Sequence, residues 1–361
     1  MSSDRIRVVV LFGGQSAEHD VSCTTARHVI EALDRARYRL EPIGITRAGE
    51  WVRDAEAVDA LDRGATGLPD ALTATGTTVQ PLAAVVPDRT AGDAATTVVF
   101  PLLHGPKGED GTVQGLLELA GVPYVGAGVL GSAVAMDKIT AKQLAEANGI
   151  PQVRWRSMRS GGESPDVLSD IASDLGFPCF VKPANMGSSV GVSKAWSADE
   201  LADAVAFALG YDEFVVIEEA VIADEIEVGV LGNTTPRASV PGRVVPANDF
   251  YDYADKYLDG QTTYEIPAPL ADREADEVRA LAVQSFLALR ADGMARCDFF
   301  HEADGRGFLL NEINTIPGFT PFSMYPKLWE ASGLSYPRLL DELIALALDR
   351  HRRRSGFRTD H

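Results

Sequence analysis

Residues 5–12 carry the run IRVVVLF, a continuous β-branched and apolar stretch that Gly13-Gly14 brings to an end. A strand this uniformly apolar does not suit a sheet with one wet face. It reads as a strand buried on both faces, which requires helices above and below it. The next residues agree: Val21, Thr25, Val29, Ile30 and Leu33 recur at helical spacing, and YRLEPIGIT over 38–46 reads as a second strand. Strand, glycine turn, helix, strand is a βαβ unit, and an open parallel sheet follows from it. TTVVFPLL (96–103) and VPYVG (122–126) supply a third and a fourth strand. Between them, Val113, Leu116, Leu117 and Ala120 mark a short helix that Gly121 stops. The stretch 53–95 is rich in Ala, Thr, Asp, Gly and Pro and reads as surface loops with a small hairpin. An open α/β domain therefore spans 1–127.

From residue 128 the pattern changes. A helix is expected over 132–148, with Ser132 as its N-cap and Gly149 and Pro151 as its stop. The short strands FPCFVKP and SVGVSKA flank a Gly/Ser loop, and a helix from Ala198 to about 209 leads to the strand FVVIEE. This reads as an α+β domain over 128–220. A third domain, 221–361, opens with the strands IEVGVL and ASVPGRVV. It passes through an irregular stretch, NDFYDYADKYLDGQTTY (248–264), and a long helix over 271–291. It closes with ARCDFF, GFLLNEIN and a final helix. The fold class is α/β and α+β.

Composition narrows the function. A formal charge of -19 over 361 residues argues against a nucleic-acid partner, which selects a basic face. No apolar run approaches the roughly 20 residues of a membrane helix, and the N-terminal residues lack the pattern of a signal peptide. Cys23, Cys179 and Cys297 are far apart and form no CxxC pair, so neither a disulfide framework nor a zinc site is indicated. The expectation is a cytoplasmic protein without membrane or nucleic-acid partners. Within so acidic a chain, an anionic ligand needs individually placed cations.

Acidic residues near the C-terminus suggest a metal site. By strand alternation Arg296, Asp298 and Phe300 share one face of ARCDFF, and Phe308, Leu310, Glu312 and Asn314 share one face of GFLLNEIN. A three-residue hairpin loop, Asp304-Gly305-Arg306, sets Glu312 directly opposite Asp298, with Cβ atoms about 5 Å apart. Two carboxylates so close require compensating positive charge. Two carboxylates and an amide carbonyl suit Mg²⁺ shared with phosphates, and Glu312 is the candidate to bridge two ions. Taken alone, such a pattern is more often ordinary sheet-surface charge.

Other segments fit a nucleotide. Lys182 lies in an apolar strand, either as a phosphate contact or as a strand-end lysine reaching water. MGSSVG (186–191) is a Gly/Ser loop in which Gly187 and Gly191 allow close backbone approach and Ser188 and Ser189 can cradle phosphate oxygens; a plain hairpin turn is the commoner meaning. FVVIEEAV (214–221), with Glu218, Glu219 and Val221, can read an adenine edge between walls of Phe180, Ile217 and Phe300. Lys138 and Glu225 are further candidates, for phosphate and ribose, and each is equally a solvated surface charge.

Taken together, FGGQSAEHDVS (12–22), HGPKGEDGTVQG (104–115), MDK (136–138), FVKPANMGSSVG (180–191), Glu218-Glu219, FYDYADKY (250–257), ARCDFF (295–300) and NEINTIPGFTPFSMYP (311–326) are similar, in order, to the D-alanine–D-alanine ligases of the ATP-grasp superfamily. The resemblance covers nearly the whole chain. It implies a three-domain architecture with ATP held between two of the domains and a two-ion Mg²⁺ or Mn²⁺ centre beside it. It also implies a two-step reaction: a first D-alanine is phosphorylated on its carboxylate, then attacked by the amine of a second.

By that resemblance Glu18 holds the first ammonium, and Ser188 links Glu18 to Tyr257. Lys138, Lys182 and Lys256 meet ATP phosphates, and Phe180, Glu218, Glu219, Val221, Glu225 and Phe300 surround adenosine. Asp298, Glu312 and Asn314 hold metal. Arg296 and the amide of Gly318 stabilise the tetrahedral intermediate, and Ser323 and Met324 bind the second D-alanine. His104 lines the substrate pocket or is a buried structural histidine. FYDYADKY is implied to be a lid, and its Tyr257 to favour an amine over a hydroxyl nucleophile. The family also implies a homodimer. Cys297 stands where an aliphatic residue is expected, and Met324 at a position that varies, so D-alanine–D-serine and D-alanine–D-lactate ligation stay open. A nucleotide-binding relative without activity is the remaining alternative.

Overall fold

A computed structural model describes residues 5–53, 71–86, 96–245 and 263–358. The first sheet is built from β1 (Ile6–Gly13), followed by α1 (His19–Ala32), β2 (Tyr38–Ile45), β3 (Trp51–Arg53), β4 (Thr77–Thr78), α2 (Pro81–Val85), β5 (Thr97–Pro101) and α3 (Thr112–Ala120). Its strand order is β4-β3-β2-β1-β5, with β1 parallel to both β2 and β5. β1 is buried on both faces, as its composition requires. Val8, Val10 and Phe12 enter one core and Val9 and Leu11 another.

The strand expected over 122–126 is reduced to one parallel bridge, Val99 with Tyr124. The ladder stops there because Pro101 and Pro123, which would donate its next hydrogen bonds on either side, have no N–H. The buried Arg350 guanidinium donates to Tyr124 O at 3.0 Å and also to Gly126 O.

The helix expected over 132–148 is two helices, α4 (Val129–Met136) and α5 (Lys138–Ala147). Asp137 makes the break, because its carboxylate caps α5 by accepting from Thr140 N at 2.7 Å. The cap, not Ser132, decides where the helix carrying Lys138 begins. There follow β6 (Trp155–Arg159), α6 (Pro165–Leu175), β7 (Cys179–Pro183), β8 (Ser193–Ala195), α7 (Ala198–Ala208) and β9 (Phe214–Glu219). These strands form an antiparallel sheet in the order β6-β9-β7-β8. Val181, Val215 and Ile217 pack beneath α6 and α7 with Ile171, Leu201 and Val205. Ile217 therefore faces the helices and is not a wall of the nucleotide site, since alternation sends Glu218 to the other face.

The third sheet comprises β10 (Asp224–Gly232), β11 (Arg237–Val245), β12 (Thr263–Glu265) and, after α8 (Asp272–Ala288), β13 (Gly293–Glu302) and β14 (Gly307–Asn314). Its order is β12-β11-β10-β13-β14. Residues 263 and 264, expected to be irregular, pair with β11 as part of β12. α8 covers one face through Val278, Ala282 and Phe286, against Ile226, Val228, Cys297 and Phe299. All three cysteines are buried and unbridged. The chain continues through α9 (Met324–Ala331) to α10 (Tyr336–Ser355), and α10 returns to the first sheet. Leu339, Leu340, Leu343 and Ile344 share a core with Val8, Val10 and Phe12.

The β13–β14 hairpin departs from the expected geometry. Glu302 pairs with Gly307, so the turn is 303–306, an even loop rather than the odd one expected. In that register Phe299 faces Leu310 and Phe300 faces Leu309. A bulge then inserts Asn311, after which Asp298 faces Glu312, Cys297 faces Ile313 and Arg296 faces Asn314. Phe308 and Leu310 consequently lie with Ile313 in the core under α8. Glu312 and Asn314 are on the opposite face, not on theirs.

Candidate functional site

The turn after β1 places the first acid. Gly13 and Gly14 both have positive φ, +87 and +100, and a Cβ on Gly13 would lie 2.3 Å from Ile45 O. Only glycine fits there. The turn is tied down by Ser22, whose hydroxyl accepts from Gly13 N at 2.8 Å and donates to Leu102 O. Glu18 ends the turn at the start of α1 and is buried. Its Oε2 approaches two glycines so closely that a Cβ on Gly105 would lie 3.2 Å away and one on Gly187 3.3 Å away. The turn after β1, the loop after β5 and the Gly/Ser loop thus converge on one carboxylate. Within the Gly/Ser loop Ser188 and Ser189 are held at φ +50 and +58, a costly conformation for residues with a Cβ.

His104 lies beside Glu18. Its Nδ1 is 3.0 Å from Ile316 O, and its Nε2 is buried without a hydrogen-bond partner among the described residues. Burial holds the ring below its usual pKa against the pull of Glu18, so the neutral form is favoured. Glu109, from the same loop, accepts from Gly105 N at 2.7 Å. Burial and the neighbouring Glu18 push its carboxyl up to about 8.

Across the third sheet the acids and Arg296 interlock. Arg296 Nε and Nη2 each lie 2.7 Å from an oxygen of Asp298, and Nε is 2.9 Å from Glu227 Oε2. Asn314 Nδ2 donates to Asp298 Oδ2 at 2.9 Å. Burial opposes the charge of Arg296, but Asp298 and Glu227 outweigh it and raise its pKa well above the usual value. Glu225, Glu227 and Asp298 bring carboxylate oxygens within 4.8 Å of one another. With Glu312 opposite Asp298, this is a hard-oxygen donor set that fits a divalent ion such as Mg²⁺. Glu227 was missed at the level of sequence, although its alternation with Glu225 puts both on one face.

The cations gather on α5 and on β7 of the neighbouring sheet. Lys138 Nζ donates to Met186 O at 2.6 Å, tying α5 to the Gly/Ser loop. Lys182 Nζ is 2.7 Å from Glu218 Oε2, and Lys142 Nζ is 2.8 Å from Glu218 Oε1. Burial alone would raise the pKa of Glu218; the two lysines override it and bring it down to about 2. Lys142 was also missed. Its signal is helical spacing, four residues after Lys138 on one face of α5.

Phe180 shares a face of β7 with Lys182 and packs under Lys194, whose Nζ is 5.4 Å from its ring centre. Phe300 pairs with Glu225 and Leu309. Glu219 is set apart from this group, with its oxygens bound by Arg154 at 2.8 Å and Arg306 at 2.6 Å. Val221 lies half-buried in the segment between β9 and β10. Lys256 and Tyr257, with the expected lid, fall outside the described residues.

Two cavities meet in this region. One, of about 580 Å³, is lined by Glu18, His104, Arg296, Gly318, Ser323 and Met324 among others. The other runs along Lys138, Lys142, Asn311 and Gly187. Glu109, Gly187, Ser188, Glu312 and Asn314 line both. Gly318 lies against Ser323, whose Oγ accepts from Thr320 N at 3.1 Å. The arrangement can hold a polyanion beside lysines, a hard cation between carboxylates, and a small zwitterion between Glu18 and Arg296.

Comparison with known proteins identifies the family. The description "D-ala D-ala ligase N-terminus" matches residues 7–127 and "D-ala D-ala ligase C-terminus" matches residues 144–345. A D-alanine–D-alanine ligase of Bacillus pumilus is 44% identical over 98% of this chain and 99% of its own. One of Geobacillus thermodenitrificans is 46% identical over 96% of each. The solved D-alanine-D-alanine ligase of Coxiella burnetii superposes with a TM-score of 0.80 at 35% identity, covering 97% of both chains. The VanG D-Ala:D-Ser ligase of Enterococcus faecalis superposes at 0.77 with 30% identity, covering 95% of this chain and 99% of that one. Both halves of the chain, the order of its sheets and its converging cavities lead to one conclusion: this enzyme belongs to the D-alanine–D-alanine ligase family of the ATP-grasp fold.

Proposed function

We propose that the enzyme joins two D-alanines into D-alanyl-D-alanine for peptidoglycan precursor synthesis in the cytoplasm, with one ATP converted to ADP and phosphate. The observation that carries this reading is the meeting of a lysine-lined cavity with one bounded by Glu18 and Arg296, at Glu312 and Asn314. A carboxylate is a poor electrophile. Transfer of the γ-phosphoryl group converts one of its oxygens into part of a leaving phosphate, and such transfer depends on positioning and charge neutralisation. Glu18 holds the ammonium of the first D-alanine. Lys138 and Lys182 hold nucleotide phosphates, with Phe180, Glu218, Glu219, Val221, Glu225 and Phe300 around adenosine. Lys256 adds to the phosphate contacts.

Asp298, Glu312 and Asn314, with Glu227 nearby, would hold two Mg²⁺ or Mn²⁺ ions. Divalent ions supply charge neutralisation between the phosphates. The amine of the second D-alanine then attacks the acyl phosphate carbon, and inorganic phosphate leaves. Arg296 and Gly318 N stabilise the oxyanion that forms, Ser323 and Met324 seat the second carboxylate, and Ser188 with Tyr257 closes over Glu18. The domains are read as 1–127, 128–220 and 221–361. Among the described residues no helix is long and apolar enough to cross a membrane.

The test is ADP release with D-alanine alone, and with D-alanine plus D-serine or D-lactate, with mass analysis of the products. D-alanyl-D-alanine is the expected product. A mixed product formed in preference to it would overturn the second-site reading. Asp298→Asn is expected to abolish ADP formation with the circular dichroism spectrum retained; full turnover in that variant would remove the metal assignment.

A further inference from the structure

Glu218 is held by two lysines from different elements, Lys142 on α5 at 2.8 Å and Lys182 on β7 at 2.7 Å. The side chains of Glu218 and Lys142 are 3% and 5% exposed, whereas that of Lys182 is 16% exposed. The cluster thus carries two cations and one anion, and one positive charge is uncompensated within it. Lys182 also reaches toward the bulged Asn311, with its Nζ 3.5 Å from Oδ1. The other lysine has less freedom. Lys142 lies in the second turn of α5, whose start Asp137 caps, and its carbonyl accepts from Gln152 Nε2 at 2.9 Å.

Resting on the ligase reading above, we propose that Lys142 is a positioning residue for the nucleotide: it is the fixed counter-ion of Glu218, which frees Lys182 to turn its charge toward a phosphate. Without Lys142, Lys182 is the sole partner of a buried carboxylate. Moving it to a phosphate would then strand that charge, which is strongly unfavourable. With Lys142 in place, Glu218 remains paired whichever partner Lys182 takes. Electrostatics agree. Burial works against the charge of Lys142, and Glu218 is the chief group sustaining it.

The experiment is calorimetric titration of the full chain with MgADP, together with steady-state kinetics, for the wild type, Lys142→Met, Lys142→Arg and the double variant Lys142→Met/Glu218→Gln. Loss of one charge-assisted contact predicts ~10- to 100-fold weaker MgADP binding for Lys142→Met. KM for ATP should rise in parallel while KM for D-alanine stays within about twofold. Lys142→Arg should recover much of the binding. The double variant should bind more tightly than Lys142→Met, because no buried carboxylate then holds Lys182 back. A purely structural role for Lys142 would move both KM values and would not be relieved by neutralising Glu218. If Lys142→Met misfolds, the comparison rests on Lys142→Arg and on Lys142→Met/Glu218→Gln. Wild-type binding in Lys142→Met, or no recovery in the double variant, overturns the proposal while leaving the ligase reading in place. A wild type that binds no MgADP overturns both.

Discussion

Asp298 lies directly opposite Glu312 even though the turn that joins their strands has an even number of residues, because Asn311 is bulged out of β14 between them. Without the bulge the same turn would set Asp298 against Asn311. The single extra residue turns Glu312 and Asn314 to the face of Asp298 and leaves Phe308 and Leu310 in the core.

Inserting one alanine between Asn311 and Glu312 should therefore be far worse than truncating Asn311. With the single bulge kept, the insertion sets the alanine opposite Asp298 and Glu312 opposite Cys297, on the core face. ADP release should fall by at least ~100-fold, the scale of a misplaced reacting group. Asn311→Ala keeps the bulge and loses only a contact to Lys182 at 3.5 Å. Its activity should remain within ~10-fold of the wild type. Equal losses in the two variants would show that register is not what the bulge supplies.

Glu109 should leave a mark on how stability changes between pH ~4.3 and about 8. Its carboxyl is pushed up to about 8 in the folded chain by burial and Glu18, against an ordinary unfolded value near ~4.3. The folded state thus binds the proton more tightly than the unfolded state does. The resulting contribution is full below the unfolded pKa, and it is lost as pH rises through about 8. Glu109→Gln removes this titration. Thermal midpoints of the nucleotide- and metal-free protein, measured from pH ~5 to ~9, should fall less steeply for the variant up to about pH 8 and run parallel to the wild type above it. Parallel curves below about pH 8 would refute the shift.

Gly13→Ala tests the turn that carries Glu18. The substitution combines a φ of +87 with a Cβ 2.3 Å from Ile45 O, and that oxygen already accepts from Gly14 N at 2.7 Å. A loss of at least ~2 kcal/mol is expected in urea unfolding, with an unchanged m-value. Gly121→Ala is the control for strain alone, since its φ is +65 and no atom lies within 4 Å of the added Cβ. It should cost about 1 kcal/mol.

Local chemistry was legible in the sequence where one segment decides the outcome. The run 5–12 read as a doubly buried strand because composition alone excludes a wet face, and the helix over 112–120 ended where Gly121 said it would. Features set by distant partners were not legible. The strand at 122–126 shrinks to one bridge because Pro101 and Pro123 lack the N–H groups that would extend it, and its other edge is closed by Arg350 from more than 200 residues away. The hairpin register depended on a bulge, and nothing about an asparagine between Leu310 and Glu312 announces one. Lys142 and Glu227 lay within reach, since each repeats the spacing of a residue already singled out. The helix over 165–175 was also within reach, with Ser164 as cap and Pro165 in its first turn.

The return of α10 to the first sheet sets a timetable. Tyr38 donates to Asp341 across 303 residues, and Leu339, Leu340, Leu343 and Ile344 complete the core that Val8, Val10 and Phe12 share with Ala26, Val29 and Ile30 of α1. At ordinary rates of synthesis, the interval between the emergence of β1 and that of its cover is on the order of 15–60 s. Throughout it, that core has β1 and α1 but lacks its α10 side, which leaves apolar surface of the first domain open to misassembly in the nascent chain. Substitutions that loosen α10 would then lower the yield of folded enzyme more than they lower the activity of each molecule that folds.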